Sequence, residues 1–166
     1  MMKEINFLVK EARKNKGCGK GLQQLKNCTN VKDLIECFYD NIDYCLAKSF
    51  PSVDFLEQYR ADLKKAGVYI SEDVTIHNPK RLVLIGNCNV TVKLTNWAVC
   101  RAYVTGTSRL NVETSAYAII MADALGESKV KAIVNDPSKV IVNIYGNAQA
   151  EGATRVVLKE KETYDL

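Results

Sequence analysis

From Asn78 to Val157 apolar and polar positions alternate with period two, and the alternation restarts every ten residues without insertion or gap: NPKRLVLIGN, CNVTVKLTNW, AVCRAYVTGT, SRLNVETSAY, AIIMADALGE, SKVKAIVNDP, SKVIVNIYGN, AQAEGATRVV. Positions 3, 5 and 7 are mostly apolar, position 1 is small in nearly every block, and the positions between are mostly polar. Such alternation predicts strands with one buried face, and a fixed restart predicts stacked repeats. Gly86, Gly106, Gly126 and Gly146 stand at position 9 of alternate blocks, where the other blocks carry Asn96, Ala116, Asp136 and Val156. Trp97, Tyr117 and Pro137 close non-glycine blocks. The repeat unit is therefore twenty residues, with two strands and two chemically different corners.

This predicts an α+β chain: a helical segment over 1–67, a β-solenoid of about four 20-residue, two-strand coils over 68–157, and a charged tail, KEKETYDL, over 158–166. At about 4.8 Å per coil the stack is roughly 20 Å long. Glycine recurring at one corner suits a stacked turn that needs positive φ or close backbone approach. A β-sandwich also places turns every eight to twelve residues or so. Its hairpins and crossovers differ in length, however, and rarely keep a ten-residue count through eight blocks. Pentapeptide and hexapeptide solenoids need apolar residues every five or six positions, and the chain has neither spacing.

The first sixty-odd residues carry no such repeat. Ile5, Leu8, Val9 and Ala12 mark one helical face. After a Gly-rich break, Asn30 is placed to cap a second helix on which Val31, Leu34, Phe38, Ile42 and Cys45 recur at three- and four-residue steps. Pro51 and Ser52 restart the pattern. A third helix carries Phe55, Leu56, Tyr59 and Leu63, and Lys64, Lys65 and Gly67 form its stop signal. The single strand VYISEDVTIH then begins the first coil.

Outward positions give the solenoid two unlike faces. The glycine-cornered blocks expose an apolar set, Val83, Ile85, Val99, Tyr103, Ile119, Met121, Leu125, Ile141 and Tyr145, too large to leave in water. The N-terminal helices, a second copy or a partner is expected to cover it. The other face is polar. It carries Asn89, Thr91, Lys93, Thr95, Arg109, Asn111, Glu113, Ser115, Lys129, Lys131 and Asn135, with Trp97 and Tyr117 at its edge. Four basic residues against Glu113 leave it modestly positive. Stacked aromatics beside cations could hold a base or a sugar ring, although a solvated sheet must be polar in any case.

Composition narrows the classes. The chain has 166 residues, 25 % of them charged, with 23 basic and 19 acidic, a balance too even to imply nucleic acid by itself. No run approaches twenty apolar residues, and the opening MMKEINFLVKEARKNKG mixes charge into its apolar positions, so a cytoplasmic protein without a membrane span is expected. Six cysteines form no CxxC pair and read as reduced packing residues, with a Cys18–Cys28 disulfide left open.

Catalytic constellations are not evident. His77 is the lone histidine, too little for a metal site or an imidazole base. KNKGCGKG, Lys14 to Gly21, departs from the phosphate-loop pattern, because Gly21 stands where Ser or Thr would hold magnesium and no strand precedes it; a flexible basic linker is the reading. Asp123, Glu127, Glu113 and Glu151 belong to different faces or corners and make no glycosidase pair. No catalytic residue, metal or cofactor is assigned.

Residues 19–52, GKGLQQLKNCTNVKDLIECFYDNIDYCLAKSFPS, resemble the helical lead-in of uncharacterised β-repeat proteins of gut Bacteroidales and of their phages or mobile elements. That resemblance implies no activity and no site residues. The repeat region is loosely similar to bactofilins, cytoskeletal β-solenoids that polymerise end to end, but differs in its twenty-residue coil and its preceding helical segment.

Open solenoid ends stack on the next molecule unless capped. Small inward residues in the last block, Ala150, Gly152 and Thr154, and the charged tail predict a monomer or dimer over a filament. The expected function is a non-catalytic interaction or scaffold module that binds a protein partner through a solenoid face. The alternatives are a self-assembling homo-oligomer and a glycan or nucleic-acid binder using the polar face.

Overall fold

The computed structural model describes residues 2–164 and divides the chain into a helical unit up to Ala66 and a β unit from Gly67. The helical unit comprises α1 (Met2–Lys14), α2 (Gly19–Asn27), α3 (Val31–Asp40), α4 (Ile42–Ala47), α5 (Val53–Glu57) and α6 (Arg60–Lys65). Ile5, Leu8, Val9 and Ala12 bury the expected face of α1, in one core with Leu25, Cys28, Cys37 and Phe55. Asn30 caps α3 by accepting from Asp33 N at 3.0 Å, and Ser52 caps α5 by accepting from Phe55 N at 3.3 Å. Gly67, at φ +90°, ends the helical run where Lys64 and Lys65 precede it.

Three features depart from the sequence reading. The Gly-rich stretch is not all linker: Gly19 and Gly21 lie in α2, whose N-cap Cys18 accepts from Gly21 N at 3.3 Å. Burial of Leu25 and Cys28 in the α1 core offsets the low helix propensity of glycine. The second helix breaks at Asn41, whose side-chain amide takes the Cys37 carbonyl at 2.8 Å, and the third breaks at Gln58 and Tyr59.

The β unit is a parallel two-sheet solenoid. Strands β1 (Val68–Ile70), β3 (Arg81–Ile85), β5 (Val99–Val104), β7 (Ile119–Ala124), β9 (Lys139–Ile144) and β11 (Arg155–Leu158) form one sheet in that order. Strands β2 (Asp73–His77), β4 (Asn89–Leu94), β6 (Arg109–Thr114), β8 (Lys129–Val134) and β10 (Gln149–Glu151) form the other. Val99 pairs with Ile119, Ile119 with Lys139, Asn89 with Arg109 and Arg109 with Lys129, so each strand meets its own copy twenty residues on. Inward positions 3, 5 and 7 are buried through the central coils, as at Cys100, Ala102, Val104, Leu110, Val112, Ile120 and Ala122. Position 1 also points in, which explains its small residues. Ser108 Oγ there accepts from Cys88 N at 3.1 Å and donates to Gly86 O at 3.2 Å.

The two corner types differ in backbone as well as chemistry. At the glycine corner φ is positive at the first central residue only, +66° at Gly106 and +71° at Gly126, the sign pattern of a type II′ turn. At the other corner both central residues are positive in two coils, Asn96 and Trp97, then Ala116 and Tyr117, the pattern of type I′, whereas the third copy is a cis Asp136–Pro137 peptide. Ala98 N donates to Thr95 O at 3.2 Å and Ala118 N to Ser115 O at 3.3 Å, closing these turns.

Register changes at both ends. Val68 pairs with Val83 and Asp73 with Asn89, so VYISEDVTIH is two strands bent at Ser71 rather than one. The last block also divides. Gly152, at φ +73°, turns the chain between β10 and β11, and Ile141 pairs with Arg155. A Cβ on Gly152 would stand 2.1 Å from Ala132 O, so only glycine lets this corner lie on the coil below. The strand ladder therefore reaches Leu158, one residue into the segment read as tail.

All six cysteines are free, five of them buried. Burial pushes the Cys37, Cys45 and Cys100 thiols up to about 12, so they stay protonated and serve packing.

The glycine corners make an unequal pair for substitution. A Cβ on Gly106 would meet Gly86 O at 2.4 Å, whereas one on Gly126 would lie 3.3 Å from Gly106 O. Gly126→Ala is expected to cost about 1–2 kcal/mol, the usual penalty of the left-handed region, and Gly106→Ala clearly more. Urea denaturation of the two variants checks the order, and equal losses would remove the close approach as the cause.

Candidate protein-docking surface

Side chains pointing outward from the β3–β11 sheet stand in files, each residue beside its copy one coil away. One file is Val99, Ile119 and Lys139; the next is Arg101, Met121 and Ile141; then Tyr103, Asp123 and Asn143. The files differ sharply in exposure. Val83, Ile85 and Leu125 of the predicted apolar set are buried, while Val99 is 63 % and Met121 43 % exposed. Tyr103, Ile119, Ile141 and Tyr145 lie half-buried.

The same sheet holds a buried acid that the sequence reading left without a role. Asp123 is 1 % exposed and accepts three hydrogen bonds: from Arg101 Nη2 at 2.5 Å, Asn143 Nδ2 at 2.6 Å and Tyr164 Oη at 2.7 Å. A buried carboxylate must be satisfied in this way, because an unpaired one costs several kcal/mol or so. The Tyr164 ring packs on Tyr145 with centroids 5.1 Å apart, and Arg101 sits 5.1 Å over the Tyr103 ring. The segment read as a free charged tail thus returns across the sheet as far as Tyr164, while residues 165 and 166 lie outside the described residues. An acid at an outward position between Met121 and Leu125 was the available signal. Its partner forty-one residues downstream was not readable.

Trp97 and Tyr117 occupy the same position in successive coils, at the corner where the β2–β10 sheet passes into the β3–β11 sheet. Their rings stack with centroids 4.1 Å apart and planes 2° from parallel. Both remain open to solvent, 69 % and 49 % exposed. Two residues further along each strand stand Val99 and Ile119. The corner aromatics and Val99, Ile119 and Met121 therefore lie in adjacent files and form one apolar strip, exposed except at the half-buried Ile119. Large exposed aromatics with adjoining aliphatics are the usual make-up of an interface centre.

The polar face is electrically quieter than its basic residues suggest. Lys93 Nζ lies 3.2 Å from Glu113 Oε2 and Lys131 Nζ 3.9 Å from Glu151 Oε1, each pair bridging neighbouring rungs. Asp73 heads the file that holds Asn89, Arg109 and Lys129. Counting Asp73 and Glu151 with Glu113 leaves four basic against three acidic, a net of plus one rather than plus three. Ile133 interrupts the face at 59 % exposure. His77 pairs in register with Lys93, and among the described residues no three His, Cys, Asp or Glu side chains group as metal ligands.

No family model matches the chain, and neither a curated protein nor a solved structure does. Among the described residues no helix is long and apolar enough to cross a membrane.

Because Trp97 is the chain's single tryptophan, its emission reports this corner alone. Tyr117→Ala is expected to raise acrylamide quenching of that emission and to lower stability by about 0.5–1.5 kcal/mol, the worth of an aromatic pair. Unchanged quenching would mean that the rings do not shield one another in solution.

Proposed function

We propose that the protein is a non-catalytic interaction module that holds a protein partner against the Trp97–Tyr117 corner and the adjoining Val99, Ile119 and Met121 strip. The observation that carries this reading is the exposure of Trp97, Tyr117, Val99 and Met121 at one corner, while Val83, Ile85 and Leu125 of the same outward set are buried and Tyr103, Ile141 and Tyr145 half-buried. Rigid aromatics cost little side-chain entropy when they bind, and a stack held at 4.1 Å is already ordered. Ion pairing on the polar face speaks against the nucleic-acid alternative, since a phosphate-tracking surface needs unpaired cations. The resemblance of residues 19–52 supports carriage by a phage or mobile element.

Recovery of partners from an extract of the source cells, quantified by mass spectrometry, tests the proposal. Trp97→Ala combined with Met121→Asp is expected to lower recovery of the partner by more than about thirtyfold, the effect of losing a hot spot worth some 2 kcal/mol or more. Arg109→Glu combined with Lys131→Glu is expected to leave recovery unchanged. The reverse pattern would move the binding surface to the polar face.

A further inference from the structure

The helical unit contains a cavity of about 280 Å³ that no part of the solenoid argument uses. Its wall is hydrocarbon from several helices, including Leu8 of α1, Leu25 of α2, Leu34 and Phe38 of α3, Phe55 of α5 and Leu63 of α6. The thiols of Cys37 and Cys45 also line it and stay neutral, since burial pushes both up to about 12.

Two glycines of the lining stand beside its polar groups. A Cβ on Gly17 would stand 3.3 Å from Tyr44 Oη, and one on Gly21 would stand 2.9 Å from Asn41 Oδ1 and 3.5 Å from Cys18 Sγ. Lys16, Gly17, Cys18 and Gly21 of KNKGCGKG therefore line the pocket, where a side chain on Gly21 would crowd Asn41 and one on Gly17 would meet Ala12 O at 2.9 Å. Tyr44 spends its proton on Ala12 O at 3.0 Å, and the Asn41 amide donates to Cys37 O at 2.8 Å and Gln24 Oε1 at 3.0 Å. Lys16, exposed at the rim, is the one ionised side chain of the lining, which holds no carboxylate.

We infer that this cavity binds a medium-chain aliphatic carboxylate, its chain among the Leu and Phe side chains and its anionic head at Lys16. Size and charge both point to that class. An apolar cavity of roughly 150 Å³ accepts a benzene ring, so this one takes a chain of about ten to twelve carbons. A single cation at the mouth of an otherwise neutral, apolar pocket complements a single negative charge on a hydrocarbon body. Water filling the same space finds few polar partners.

Isothermal titration of the full chain with the sodium salts of hexanoic, octanoic, decanoic, dodecanoic and hexadecanoic acid, each below its micelle concentration, reads the proposal directly. Expected is saturable one-to-one binding that tightens about fourfold per methylene and stops tightening near ten to twelve carbons. Lys16→Asn, which suits the positive φ of that residue, should weaken decanoate severalfold and leave 1-decanol unchanged. No saturable binding by any chain overturns the site, as does tightening that continues undiminished to hexadecanoate. Equal decanoate binding by the wild type and Lys16→Asn overturns the assignment of the anionic head. None of these readouts depends on the Trp97 corner.

Discussion

Parallel pairing of each strand with its own copy twenty residues away is the constraint on which the β unit depends. It requires each corner to keep its residue count from coil to coil, since one inserted residue would turn a whole strand inside out. The glycine ladder and the small residues at position 1 follow from that requirement. Surface chemistry follows as well, because a side chain's nearest outward neighbours are its counterparts one coil up and one coil down. Trp97 stacks on Tyr117 for this reason, at a spacing close to the coil rise of about 4.8 Å. Asp123 finds Asn143 in its own file and Arg101 one coil away in the neighbouring file.

Much of this was legible in the sequence, because period-two alternation and a twenty-residue glycine spacing are both direct consequences of the backbone. The central coils, the alternating corners and the unlike faces all follow from those two signals. The ends were not legible. VYISEDVTIH reads as one alternating strand, and only the Ser71 bend, at φ +48°, divides it between two sheets. AQAEGATRVV keeps the ten-residue count while Gly152 turns the chain early, a choice set by contact with Ala132 rather than by any local pattern. Residues Gly19–Asn27 carry glycines that argue against a helix, and a helix forms because Leu25 and Cys28 bury against α1. Tertiary burial outweighs local propensity there.

The site was half legible. Identity of position showed that Trp97 and Tyr117 are equivalent, and the structure adds that they touch and stay exposed. The face also carries a contact the sequence does not announce, the return of Tyr164 to Asp123 and Tyr145. The charge of the polar face was overestimated for a related reason. Lys93 and Lys131 meet acids on neighbouring rungs, and Glu151 and Asp73 join that face through its end strands. Binding through the corner strip and ligand uptake by the helical cavity are separate readings that rest on separate units of the chain.

A cysteine-pairing experiment tests most directly the claim that outward side chains stand beside their copies twenty residues away. Asn111 pairs in register with Lys131, and Lys129 stands on the same face one pleat away. In-register Cα atoms about 4.8 Å apart fall within the range a disulfide spans, whereas diagonal neighbours at about 7–8 Å exceed it. Asn111→Cys with Lys131→Cys should form a disulfide rapidly under mild oxidation, identified by peptide mass, and Asn111→Cys with Lys129→Cys should not. Preferential formation of the 111–129 bridge, or equal formation of both, would contradict the twenty-residue register and the surfaces built on it.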